Sequence, residues 1–555
     1  MLLATSLLGI TTITSTIPGL AATSTGKHVE PLSSIRVTGL YPNFTPAGED
    51  YAISNCANKT ISLGVSATKG ATVTIDGKAV KSGKATISTK ADQLITLRAK
   101  LGKITRNWFL RCLPDDFPKL RVEKHGSTPS KGYYAFSTGE RVDMSKWQLR
   151  SQYYVILDER GAPIWYMRGK GVPGILDRAA NGNILTTASP NGISPSFAAR
   201  GPSAVVETTL DGQVVTKHTR GAQDPIDGHS LQVLSNGNLL VLTVPIIRGV
   251  DLSDDFAQLQ PLDVGGGGVD KCDVTNVRSV DVAYPAIREI TPDGKLVWSW
   301  NSWEHLDDRE SIIPALTNIS YTGGVECVVD LFHGVIASQS PDGKTIIFTA
   351  RFASATWGID KASGSVRWKI GGIPSPVSLS IEGDPYGKYG PRGQHGGIID
   401  DKGRLLVFDN RRANNEISRG LLYQIDENER TATYVRGFEP PIKPCQQGPE
   451  GELCNALSMG GARHTPAGGT LVSWGYKPGN PNLATEFDAK GSPMFTIMNL
   501  SGYHNTYEVL RLDRSAWPIA KLRKAASSLT VILPGWDSGL PDDASPEDTA
   551  VSTIK

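Results

Sequence analysis

The sequence predicts an all-β protein, a six-bladed β-propeller preceded by a small N-terminal β-sandwich, and three observations predict it. First, a strand–turn–strand unit that often closes on an aromatic recurs six times: ILDERGAPIWY, TTLDGQVVTKH, EITPDGKLVWSW, GIDKASGSVRWKI, QIDENERTATYV and EFDAKGSPMFTI. Its turns are roughly 50 to 80 residues apart, a propeller period with insertions. Second, another hairpin type is interleaved with it: RAANGNILTTA, QVLSNGNLLVLT, SQSPDGKTIIFTA, IDDKGRLLVFDN and RHTPAGGTLVSWG. Two hairpins per repeat make a four-stranded unit, and radial stacking of such units leaves few exposed edges. Third, 59 glycines and 35 prolines supply many turns, which favours strands over helices.

In chain order, residues 1–25 are apolar and end in small residues around Pro18 to Ala22, which reads as a signal peptide without a basic start. Residues 34–120 carry short alternating runs (SLGVSA, ATVTID, QLITLRA) broken by NKT, DGK and KSGK, the pattern of the sandwich. IDGKAVKSGKA superficially looks like a phosphate loop, but its spacing is wrong and Lys84 precedes Ala85. The propeller spans residues 130–536. Only five inner hairpins are visible, so the sixth is expected from both chain ends, YYAFS near 133 and NTYEVLRL near 505. Residues 537–555 are acidic and lack aromatics, as a disordered tail would.

Length and composition exclude other classes. A chain of 555 residues needs more than one core. A formal charge of +2, with no basic stripe interleaved with aromatics, argues against a nucleic-acid partner. The N-terminal apolar segment is too short and Thr-rich for a membrane span. Six cysteines without a CxxC suit a secreted, periplasmic or extracellular protein with three local disulfides, Cys56 with Cys112, Cys272 with Cys327 and Cys445 with Cys454, among the 15 pairings six cysteines allow. Sequons at Asn43, Asn58, Asn318 and Asn499 matter only in a eukaryotic secretory pathway. The sandwich is a candidate surface for homodimerisation.

The candidate site comes from distances to turns. His229 lies seven to eight residues before Asn236-Gly237, His333 nine to ten before Asp342-Gly343, and His395 seven to eight before Lys402-Gly403. All three therefore belong at one end of their blades, where a propeller's central channel opens. His464 lies three residues from its turn and belongs at the other end. In DLFHGVIASQSPDGKTIIFTAR, His333 and Arg351 are each eight residues from the Pro-Asp-Gly turn and should meet at the hairpin mouth. Asn410 counts out opposite His395, where it orients the ring or caps a strand. Three imidazoles suit zinc, but a permanently cationic Arg351 favours an anion instead. Trp298 and Trp300 in WSWNSWEH read as blade packing, and DLSDDF and DVGGGGVDKCD lack the order of a calcium loop.

GQHGGIIDDKGRLLVFDN, DLFHGVIASQSPDGKTIIFTAR and DGHSLQVLSNGNLLVLT, in this layout, resemble the blade signatures of the arylsulfate sulfotransferases. The resemblance covers roughly residues 130 to 515 and implies the same sandwich-plus-propeller architecture. It implies ping-pong transfer of a sulfuryl group from a phenolic sulfate ester to another phenol, with no nucleotide donor, cofactor or metal. His395 matches the family's nucleophile, His229 and His333 its sulfate-binding and proton-handling histidines, and Arg351 its sulfate-binding arginine. The family commonly has Asn where this chain has Val335. The chemistry asks for these residue types on its own terms. By analogy with phosphoryl transfer, a loose transition state spreads negative charge over oxygens and needs cationic and hydrogen-bonding groups around it. A neutral imidazole is a nucleophile near pH 7. A departing phenolate needs a proton, from His333 first and His229 second. The competing readings are a non-catalytic propeller that binds a ligand or protein, and a metal-dependent hydrolase or lyase on the same fold.

Overall fold

The computed structural model describes residues 29–527 except 144–147, 170–173, 189–203, 221–223, 257–259, 262–276, 313–314, 322–323, 386, 388–389, 412–416, 442–445, 449–450, 454–455, 477–479 and 502–503. The expected signal peptide and acidic tail, and the pairings of Cys272, Cys327, Cys445 and Cys454, lie outside the described residues. The chain is nearly all β, arranged as many small sheets. The one α-helix among the described residues is short, Ile519–Ala525.

Near the N-terminus, a sheet of Leu32–Arg36, Thr60–Ala67 and Lys84–Ser88 and a second sheet centred on Leu94–Leu101 and Ile104–Cys112 share one apolar core. Alternation explains this core: Leu63 and Val65 point inward from the first sheet, and Ile95, Leu97, Trp108 and Leu110 meet them from the second. The Cys56–Cys112 disulfide crosses it. Arg523 on the helix pairs with Asp50 at 2.6 Å and with Glu49 at 2.8 Å, tying this unit to the C-terminal end of the chain.

Six further sheets follow the two hairpin types read from the sequence. Four strands in chain order form sheets beginning at Leu176–Arg178, Ile226–Val233, Gly334–Gln339, His395–Ile399 and Gly461–His464. The last two gain an edge strand, Ser380–Glu382 and Leu120–Lys124 respectively. The sixth is built from both chain ends: Val509–Asp513 pairs with Gly132–Asp143, setting Tyr133 opposite Leu512 and Phe136 opposite Val509. The first strands of these sheets neighbour one another in a ring. The recurring aromatics act between sheets, as the Trp165 indole donates to the Leu210 carbonyl at 2.8 Å and Trp300 to Gly364 at 3.0 Å.

Two insertions, one inside the sheet that starts at Ile226 and one after it, pair into an accessory sheet that includes Val280–Ala283 and Gly324–Asp330. Its last residue, Asp330, stands three positions before His333. Of the four sequons, that of Asn499 is no surface acceptor, because Asn499 is fully buried and its amide bonds Thr138 at 3.3 Å.

Candidate functional site

Each site histidine stands where its inner strand breaks register with its neighbour. The ladder slips between Asp227 and Leu231 around His229, between Gly334 and Ile336 just after His333, and between His395 and Ile398. A bulge re-aims a side chain out of the ladder, so three bulges at one end of three adjacent strands gather three imidazoles. At His395 the bulge turns through Gly396, whose φ of +70° favours glycine; a Cβ there would stand 3.4 Å from Gly461 of the next inner strand, in ordinary contact. Hydrogen bonds between strands hold the group together. Ser230 bonds Ala337 in both directions, and the Thr349 hydroxyl donates to Gly396 O at 3.0 Å.

The rings are close. His229 and His333 meet edge to face with centroids 5.2 Å apart, and Tyr507 packs 5.7 Å from His229 and 6.4 Å from His395. Phe352 stacks on His333 at 4.6 Å. Arg351 closes the hairpin mouth as its spacing suggested, its backbone N–H donating to His333 O at 3.0 Å. Its guanidinium donates to Leu457 O at 2.7 Å. His464 stands apart near the turns, 4.0 Å from Asp400.

His395 is held from both sides. Nδ1–H donates to Asn410 Oδ1 at 2.8 Å, and the Met459 N–H donates to Nε2 at 3.1 Å. Asn410 is in turn fixed by donating to Ala456 O at 3.3 Å and Met459 O at 3.0 Å. Burial first, and then the Arg351 cation, hold the proton affinity of His395 well below that of a free imidazole. The ring is therefore held neutral, with its lone pair on Nε2.

His229 and His333 have a different kind of partner. Asp227 accepts from the backbone N–H of His229 at 3.0 Å and from its Nδ1. Asp330 accepts from the backbone N–H of His333 at 3.1 Å and from its Nδ1. His333 takes a left-handed φ of +51° to make this turn. Its ring is buried, whereas the His229 side chain keeps 30% of its surface exposed.

The structure thus gathers His229, His333, His395, Arg351 and Asn410. Sequence reasoning missed Asp227, Asp330, Tyr507 and the Ala456–Met459 turn. The two aspartates carried a signal in DGH and DLFH, a carboxylate two or three residues before each histidine. Tyr507 was read only as part of the closing strand. The turn acts through backbone groups, which no residue pattern advertises. Val335 is buried, and its carbonyl accepts from the Tyr507 hydroxyl at 3.3 Å. Trp300 is buried in the sheet packing, as its spacing suggested. Among the described residues, no three His, Cys, Asp or Glu side chains are grouped as metal ligands.

Residues 269–442 match the family model Arylsulfotransferase (ASST), a segment that carries His333, Arg351, His395 and Asn410. No curated protein matches the chain. A protein of unknown function from Bacteroides caccae aligns at 10% identity over 69% of this chain and 99% of its own, with a TM-score of 0.38. The periplasmic gluconolactonase of Pseudomonas aeruginosa aligns at 11% identity over 68% of this chain and 99% of its own, with a TM-score of 0.32.

Proposed function

We propose that this chain, whose residues 269–442 match the family model Arylsulfotransferase (ASST), moves a sulfuryl group from a phenolic sulfate ester to a phenol acceptor through a sulfohistidine at His395. The observation that carries this reading is the neutral, doubly held His395 facing Arg351, His333 and His229.

In the first half-reaction, Nε2 attacks sulfur, the sulfur–aryl oxygen bond breaks, and His333 gives a proton to the departing phenolate. Arg351 offers its planar donors to the sulfuryl oxygens. Attack requires Nε2 to leave the Met459 N–H, which is then placed to donate to a sulfuryl oxygen instead. The product ring is a sulfonated imidazolium that keeps its Nδ1 proton, because Asn410 presents an amide oxygen rather than a basic carboxylate. In the second half-reaction, a phenol loses its proton to His333 and attacks sulfur, and neutral His395 departs.

The six sheets and their ring of first strands support a six-bladed propeller, whose last described strand ends at Asp513, and the shared N-terminal core supports a sandwich before it. The disulfide supports an exported protein, and no helix among the described residues is long and apolar enough to cross a membrane.

The test is steady-state transfer from several aryl sulfates to several phenols. Parallel reciprocal plots, abolished by His395→Ala, support the proposal. A ternary-complex pattern overturns the ping-pong scheme, and no phenol release from any donor favours a binding module.

A further inference from the structure

We propose that Asp227 and Asp330 sort the three histidines of this site by role, making His229 and His333 the proton-holding pair and leaving His395 as the nucleophile. The inference rests on the sulfuryl-transfer reading and adds to it two positioning residues that do not touch the reacting atoms.

The argument begins with what each ring's Nδ1 meets. For His395 it is a neutral amide oxygen, Asn410 Oδ1 at 2.8 Å. For His229 and His333 it is a carboxylate, Asp227 and Asp330. An adjacent carboxylate favours the protonated imidazole, and an amide oxygen fixes the tautomer without adding charge. The same fold element therefore presents two chemistries.

Position reinforces the difference. Both carboxylates are buried, at 3% and 0% exposure, and each also accepts the backbone N–H of its own histidine. That second bond clamps the carboxylate against the main chain, so neither ring turns without losing it. With Nδ1 held, proton exchange with a substrate falls to Nε2 in both rings.

Charge balance fits the ligand. Among the described residues, the charged and titratable groups set around this pair include Asp227, Asp330, Arg351, His395 and Tyr507. The two carboxylates offset any positive charge the two rings carry, which leaves the Arg351 cation to meet the single negative charge of an aryl sulfate. Without the aspartates, two protonated rings 5.2 Å apart would repel each other and one would lose its proton.

The two aspartates also arrive by different routes. Asp227 lies in the inner strand itself, and Asp330 ends the accessory strand Gly324–Asp330. The spacing to the histidine differs, two residues against three, yet the bonding is the same. Two unlike backbone paths reaching one arrangement point to a requirement of the site rather than of the turn.

The test uses Asp330→Asn and Asp227→Asn in the full chain, with Asp330→Glu as the conservative variant. The first readout is the ring-nitrogen titration of His333 and His229 by NMR with labelled histidine, which needs no turnover. The proposal expects each Asn variant to lower the midpoint of its own histidine by at least one pH unit, with Glu restoring part of it. The second is release of phenols of graded acidity from aryl sulfates. Asp330→Asn should cost less than about 3-fold with a good leaving group and more than about 30-fold with a poor one, as loss of a general acid would. Unchanged midpoints, or an equal loss across all leaving groups, overturn the proposal. If the unmodified protein releases no phenol from any donor, the transfer reading fails, and the titration still decides whether the aspartates hold the protons.

Discussion

The backbone N–H of Met459 points at Nε2 of His395 from 3.1 Å, so the nitrogen proposed to attack sulfur is capped before a substrate arrives. Met459 sits at a left-handed φ of +62°, a conformation that costs a non-glycine residue roughly 1–2 kcal/mol. The turn that caps His395 is thus strained, and it also anchors Arg351 through Leu457 and Asn410 through Ala456.

The first prediction concerns pH. Sulfation needs His395 unprotonated, and burial followed by Arg351 depresses its proton affinity well below the ordinary imidazole value. A depressed value moves the acid limb down. Adduct formation measured by rapid quench should hold its rate well below pH of about 6.5, the unperturbed midpoint. The same sign applies to stability. The contribution of a neutral buried His395 is complete above about pH 6.5 and is lost as pH falls toward the folded value. An acid limb at about 6.5 would mean the ring is hydrated in the working enzyme.

Asn410→Asp separates orientation from charge. A carboxylate against Nδ1 favours the imidazolium, so the acid limb of adduct formation should rise by about one to three pH units. The variant also loses the donor to Ala456 O and Met459 O. Leaving those buried carbonyls unpaired should cost about 1–3 kcal/mol in denaturant unfolding.

Arg351 has two consequences that different substitutions pull apart. Arg351→Lys keeps the cation and loses the fork, so the KM for the sulfate donor should rise by about 10-fold while the acid limb stays in place. Arg351→Ala removes the cation that lowers the proton affinity of His395, so the acid limb should move up as well. Identical pH profiles for the two variants would show that the guanidinium charge does not reach His395.

Removing the Cys56–Cys112 crosslink should leave transfer unchanged, because the pair sits in the N-terminal core and not among the histidines. Its sequence separation of 56 residues suggests about 4 kcal/mol of stabilisation from the constrained unfolded chain. A paired Cys-to-Ala variant, compared by urea unfolding and by transfer rate, checks both statements.

Much of the architecture was legible because turn chemistry is local. Asn-Gly, Asp-Gly and Lys-Gly turns mark hairpins, and similar distances from those turns placed His229, His333 and His395 at one end. The pairing of Gly132–Asp143 with Val509–Asp513 was legible only by elimination, from a missing hairpin. What stayed hidden is what depends on long-range backbone geometry. The Ala456–Met459 turn reaches His395 across 64 residues of sequence through an N–H that every residue but proline possesses. Asp330 heads the hairpin stretch read from the sequence, but only the strand it ends shows that it meets Nδ1 of His333. Leu120–Lys124 gave no sign that it would join a strand beginning at Pro493.

The measurement that tests the central claim most directly is mass spectrometry of the protein after a brief pulse of an aryl sulfate at mildly alkaline pH, without acceptor. The account predicts one sulfuryl adduct located on His395 and discharged when a phenol is added. Phenol release with no adduct, or an adduct on another residue that the acceptor discharges equally well, would contradict it.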